Sequence, residues 1–166
     1  MDPITQGALG AALPQATATP RKGPVALAGL FGALAGMAAD LDVFIRSAED
    51  PLLFLEYHRH FTHSLLFIPL GGLVCAAVLH LLLGRWLRLG FARVLLFCTL
   101  GYGTHALLDF MTSYGTMLFW PLSDARYAAS IISVIDPLMT LPVVLLVILA
   151  AIRRSPRPAR LALVWA

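Results

Sequence analysis

Histidines and carboxylates gather in three short stretches of this chain. Asp40 and Asp42 stand two apart, and His58, His60 and His63 follow within a few residues of one another. Farther along, His105 and Asp109 are spaced i,i+4, which puts both side chains on one face of a helix. Histidine with carboxylate, and no cysteine thiolate, is a donor set for zinc, manganese or iron rather than for a structural Cys-type zinc site. Asp40, Asp42, His58, His63, His105 and Asp109 are therefore the candidate ligands of a divalent metal ion, zinc first and manganese or iron behind it. They would complete one open site, or hold two metals about 3.5–4 Å apart as in many phosphate-cleaving enzymes. The sequence leaves the metal count open.

The elements that must position these residues are apolar rods. Of 166 residues, 59% are hydrophobic and 13% charged, and the mean hydropathy is +0.82. A soluble domain carries about 25% charged residues, so this is a membrane composition. The pattern predicts an all-α polytopic membrane bundle with four spanning helices: 24–39, 65–83, 94–108 and 138–152. A first apolar stretch, 4–18, is too short to span and reads as a half-length or re-entrant helix. Gly32 and Gly36 form a Gly-x-x-x-Gly pair suited to close helix packing. Residues 1–152 make one membrane domain, and 153–166 read as a basic, disordered cytoplasmic tail. No Lys or Arg precedes the first apolar stretch, so a cleaved signal peptide is not expected. Cys75 and Cys98 sit in apolar runs without CxxC spacing and read as small buried residues. No basic patch interleaved with aromatics is present, so no nucleic-acid partner is expected.

Charge is sorted by connection. Arg21 and Lys22 precede the second segment, Arg85, Arg88 and Arg93 fill the 84–93 connection, and Arg153, Arg154, Arg157 and Arg160 follow the last rod. The 40–63 and 109–136 connections hold eight acids, among them Asp124 and Asp136. Basic loops stay cytoplasmic, so the expected topology has the C-terminus inside and the acidic connections outside. Asp40 and Asp109 then sit near helix C-termini, where the macrodipole already presents partial negative charge. A carboxylate there, at a membrane boundary, is unfavourable unless a cation compensates it. A bound metal relieves several acids together.

Each element also has a plainer explanation. Asp136-Pro137 fits an N-cap followed by Pro at N1; Thr62 and Ser64 suit caps for the helix that follows; His80 reads as structural. Tyr57, Phe119 and Trp120 suit an interfacial aromatic belt.

Longer runs of residues resemble a known family. They are Met1-Asp2-Pro3-Ile4-Thr5-Gln6, Asp40-Leu41-Asp42, Tyr57-His58-Arg59-x-Phe61-Thr62-His63-Ser64-Leu65, and His105-x-Leu107-Leu108-Asp109-x-x-Thr112-Ser113-Tyr114-Gly115-Thr116. Phe119-Trp120-Pro121-Leu122 and Ile135-Asp136-Pro137-Leu138 continue the match. In these runs the chain resembles the bacterial inner-membrane metal-dependent hydrolases of the YdjM type, whose founding member was named for LexA binding. The resemblance covers nearly the whole chain and implies a multi-pass inner-membrane hydrolase. Ala39 replaces the Pro usual before Asp-x-Asp, and His60 replaces the Gly usual after His-Arg, which argues against His60 as a ligand. Gln6 stands where some relatives carry His, and its amide would orient a metal-bound water.

The chemistry expected is hydrolysis at the outer membrane boundary on a lipid or phosphate-containing substrate. Arg59 would clamp an anionic group and Asp136 would serve as general base. The rival is a non-catalytic, metal-stabilised protein that binds a regulatory partner protein. A metal-ion transporter is disfavoured, since 65–79 and 138–152 carry no ionisable residue.

Overall fold

The computed structural model describes residues 1–19, 24–50 and 52–166. Arg21 and Lys22, part of the expected charge sorting, lie outside the described residues. The described chain is helical, with one isolated bridge between Thr116 and Tyr127. Seven α-helices follow in order: α1 Pro3–Thr17, α2 Val25–Ala38, α3 Leu53–Tyr57, α4 Ile68–Leu79, α5 Phe91–Met111, α6 Pro137–Arg153 and α7 Pro156–Trp165. A 3-10 stretch, Ala39–Phe44, prolongs α2, and a π-turn, His80–Gly84, prolongs α4.

Three rods are long and apolar enough to cross a membrane: Val25–Phe44, Leu65–Gly84 and Phe91–Met111. The fourth expected span is a shorter apolar helix, α6, of 17 residues. Pro69, which interrupts the second rod on paper, falls in the first turn of α4, where its missing N–H costs no hydrogen bond. Ser64 caps the 3-10 turn ahead of that helix, its Oγ accepting from Phe67 N. Thr62 does not act as a cap; it belongs to the cluster described below.

α1 is the short apolar helix expected, and it is buried on nearly every face. Asp2 caps it by accepting from Thr5 N, with Pro3 in the first turn. It fits between its neighbours because backbone meets backbone. A Cβ on Gly10 would stand 2.7 Å from Gly32 O, and one on Gly36 would stand 2.9 Å from Gly10 Cα. A Cβ on Gly101 of α5 would collide with Gly32 O from the other side. Only glycine permits this three-helix approach, and it fixes the height of α5 against α2.

The expected disordered tail is instead α7. Ser155 caps it, and Pro158, Ala159 and Ala162 are buried against α1 and α6. The helix turns back along α6, and Trp165 Nε1 donates to Leu138 O at the other end of that helix. The physical cause is its amphipathic pattern. Small residues at 159 and 162 share one face, while Arg157 and Arg160 are exposed on the other.

Candidate metal centre

Four donor atoms converge where α2 and α5 end. His63 Nε2 and His105 Nε2 face each other 2.8 Å apart. Asp40 Oδ1 lies 3.3 Å from His105 Nε2 and 3.6 Å from His63 Nε2. Asp109 Oδ2 lies 3.2 Å from His63 Nε2 and 3.6 Å from His105 Nε2. Tetrahedral zinc with ligands about 2.0–2.1 Å away requires donor separations of about 3.3–3.4 Å, which these five distances bracket.

The glycine contact sets this geometry. Gly101 locks α5 onto α2, and one turn later His105 Nδ1 reaches Gly36 O at 2.5 Å. A carbonyl only accepts, so Nδ1 carries the proton and Nε2 presents a bare lone pair. His63 is fixed the same way. Thr62 Oγ1 donates to Asp42 Oδ2 at 2.9 Å and accepts from His63 Nδ1 at 2.9 Å, which again leaves Nε2 bare. Two imidazole lone pairs pointed at each other with two carboxylates alongside repel unless a cation lies among them. Histidines whose outer nitrogen bonds a carbonyl or a carboxylate-held hydroxyl are the usual pattern around a metal. His63 is buried, which by itself lowers its pKa, but hydrogen bonds to Asp109 and Asp40 outweigh burial and raise it above the ordinary value. In the metal-free protein a proton can therefore take the cation's place.

The other two expected ligands form an adjoining layer. Asp42 is buried, with Oδ1 against His58 Nδ1 at 2.9 Å and Oδ2 accepting from Arg59 N and Thr62 Oγ1. Asp40, Asp42 and His58 make a second group able to hold a metal, sharing Asp40 with the first. The six candidates are thus brought together, four around one point and two beside it.

Arg59 is held more tightly than a free clamp would be. Its φ of 60° places a non-glycine residue in the left-handed region, a conformation kept where the surroundings over-determine it. From there its N–H reaches Asp42, its Nη1 donates to Thr112 Oγ1 at 3.0 Å, and its guanidinium lies over the Tyr114 ring. Its Nε pairs with Asp109 Oδ2 at 3.0 Å, out of line for a hydrogen bond. Gln6 also serves Asp109: its Nε2 donates to Oδ1 at 2.9 Å, as does the Met1 amine. Gln6 Oε1 finds no partner among the described residues.

Asp136 is not brought to the cluster. It caps α6, accepting from Met139 N at 3.1 Å, with Pro137 at the first helical position. The general-base role expected of it has no geometric support, because capping already employs the carboxylate. His60 packs among Tyr57, Phe61 and Trp120, and His80 against Phe91, both apart from the cluster. Thr62, Thr112, Tyr114 and the Gly36 carbonyl are the participants that sequence reasoning missed. The available signals were the adjacency of Thr62 to His63 and the place of Thr112 and Tyr114 in the run that carries His105 and Asp109.

A cavity of about 310 Å³ gives access. Asp40, His58 and Arg59 form its polar part, and Met37, Leu41, Val43 and Phe44 are among its walls. Asp40 is the one ligand of the four-donor group that is only partly buried, its side chain 23% exposed. The connection 112–136 lies over the remaining side, tied down by Met117 N to Arg59 O and Arg126 Nη2 to His58 O.

Residues 1–166 match the family described as YdjM inner membrane protein. The chain is similar to "Inner membrane protein YbcI" of Escherichia coli (strain K12), 40% identical over 74 residues covering 43% of this chain and 40% of that protein. It is also similar to "Uncharacterized protein YfhP" of Bacillus subtilis (strain 168), 27% identical over 109 residues covering 65% of this chain and 32% of that protein. The matches take in less than half the length of these relatives. No solved structure matches.

Proposed function

The chain belongs to the YdjM inner membrane protein family, and on that premise we propose that it is a metal-dependent hydrolase of the membrane boundary. The observation that carries this is the pair of bare Nε2 atoms, 2.8 Å apart, flanked by Asp40 and Asp109. The donor set fits one divalent metal, zinc first, held by Asp40, His63, His105 and Asp109. When bound, such an ion lowers the pKa of a coordinated water and polarises a phosphoryl or acyl oxygen.

The protein's own groups supply the rest. Asp42 holds His58 Nδ1, so Nε2 is the nitrogen left to exchange a proton with whatever occupies the cavity. This dyad takes the acid–base role in place of Asp136. Arg59 adds positive charge to the cavity floor and restrains Asp109, while Gln6 and Thr112 fix those two residues in turn. Apolar walls limit water around the reacting group.

The extracytoplasmic side is the proposed location of the centre, with the basic 84–93 connection and the α6–α7 turn inside. Support comes from the sorting of arginines to the opposite end. A Ser123→Cys variant in intact cells should react with an impermeant maleimide; reaction only after permeabilisation would reverse the orientation.

The activity test uses purified, metal-loaded protein against soluble phosphate and carboxylate esters. Turnover should vanish with chelator, return with metal, and be absent in His63→Ala. Turnover indifferent to chelator and to His63→Ala would end the hydrolase proposal.

A further inference from the structure

A second cavity, about 270 Å³, lies on the other side of the 3-10 stretch that carries Asp40 and Asp42. It is a groove between α2 and α4 floored by Tyr102 of α5, with Ala38, Ile45, Phe67, Val74 and Cys75 along it. Asp42 and Thr62 also line it, and both belong to the metal-centre network. Tyr102 is held there because its hydroxyl donates to Thr62 O at 2.8 Å, and because α4 offers Gly71 where a Cβ would strike the ring. Leu41 lines both cavities and is 60% exposed. The groove therefore runs from the centre along helices that belong to the membrane-crossing rods. With those rods across a bilayer its open side would face hydrocarbon, where a water-soluble substrate gains nothing from an apolar trough.

We infer that the substrate is a phospholipid drawn sideways from the bilayer, its headgroup phosphate in the cavity of Asp40, His58 and Arg59 and an acyl chain over Leu41 in the α2–α4 groove. This rests on the hydrolase proposal and names its substrate class. Charge and polarity divide as such a molecule does: a guanidinium and a cation site at one end, and apolar walls along the groove beyond Asp42 and Thr62 at the other. Hydrolysis consumes one water, whose oxygen bonds to phosphorus while a phosphorus–oxygen ester bond breaks. One proton of that water ends on the leaving oxygen.

The test compares wild type, Val74→Trp, which fills the groove, and Val78→Trp one turn along the same exposed face of α4. Metal-loaded protein in nanodiscs of phosphatidylethanolamine and phosphatidylglycerol is assayed beside soluble bis(4-nitrophenyl) phosphate. Val74→Trp should reduce lipid turnover about tenfold or more while leaving the soluble ester within about twofold, and Val78→Trp should change neither. Equal effects of Val74→Trp on both substrates, or none on the lipid, overturn the inference and leave the hydrolase standing. A second readout needs no turnover. Phosphatidylglycerol with a diazirine in its acyl chain should label 38–45 and 71–75 above the rest of α4, and Val74→Trp should remove that excess. Even labelling along α4 overturns lipid binding in the groove. Groove labelling without turnover of any ester upholds the lipid site and removes the hydrolase.

Discussion

The two ends of this bundle carry ionisable groups and treat them in opposite ways. At one end Arg85, Arg88, Arg93, Arg153, Arg154, Arg157 and Arg160 are all exposed, and none pairs with a carboxylate among the described residues. At the other, Asp42, His63, His105 and Asp109 are buried and Asp40 partly so, each within 3.6 Å of another. An exposed arginine keeps its hydration and contributes little beyond orientation in the membrane. A buried carboxylate forfeits several kcal/mol of hydration that only partners can offset. Three carboxylates face Arg59 and the Met1 amine, and the two opposed Nε2 lone pairs leave a place for one more positive charge, a metal ion or, in its absence, a proton on His63. The contrast is between charge that merely sits at a surface and charge arranged to receive a cation.

The comparison breaks most visibly if the ligands are dispensable. Asp109→Asn or His105→Ala should abolish metal-dependent turnover, a loss beyond the roughly 10–100-fold expected of an outer partner. Turnover of the metal-loaded variants against soluble esters measures it. Chelation should come next. With metal at about 1,000 times its dissociation constant, binding adds about 4 kcal/mol to stability, so EDTA should lower the unfolding temperature of wild type and not of His63→Ala. Differential scanning fluorimetry in detergent reads both.

Thr62→Val frees His63 Nδ1 and Asp42→Asn weakens the acceptor that orients the Thr62 hydroxyl, so each should cost about 10–100-fold in metal affinity while leaving His63 Nε2 in place. Titration of the apo-protein with zinc gives that figure. The raised pKa of His63 sets the pH behaviour. In the apo-protein its stabilising share is full below about pH 6.5, the unfolded value, and is lost as pH rises through the higher folded value. In the metal-loaded protein the sign reverses, since protons compete with the metal and affinity falls as pH drops below that folded value. Unfolding temperatures of the two forms across pH 5–9 should therefore diverge with rising pH, and parallel curves would count against the site. At the other end, Arg85→Gln or Arg153→Gln should move stability by no more than about 0.5 kcal/mol and leave turnover unchanged.

Much of the charged end was legible in residue spacing. The i,i+4 pair His105/Asp109 and the placement of Asp40 at a helix C-terminus led to three of the four converging donors, and His63 completed them. What spacing could not separate was a ligand from the residue that orients it. Asp42 resembles Asp40 on paper, and only the fold shows that its oxygens are taken up by His58, Arg59 and Thr62. The Gly36 carbonyl that fixes His105 has no side-chain signature. Asp136 was ambiguous between cap and base, and local geometry decided for the cap. The four rods were readable from hydropathy, but α7 was not, because Arg and Pro in its first turns mask a short apolar face that matters only beside α1 and α6.

Metal content is the most direct measurement. Inductively coupled plasma mass spectrometry on wild type and His105→Ala, purified from membranes without chelator, should find at least one equivalent of zinc, manganese or iron in the first and almost none in the second. Wild-type protein that emerges metal-free, takes up no added divalent ion and unfolds at the same temperature with or without EDTA would contradict the account.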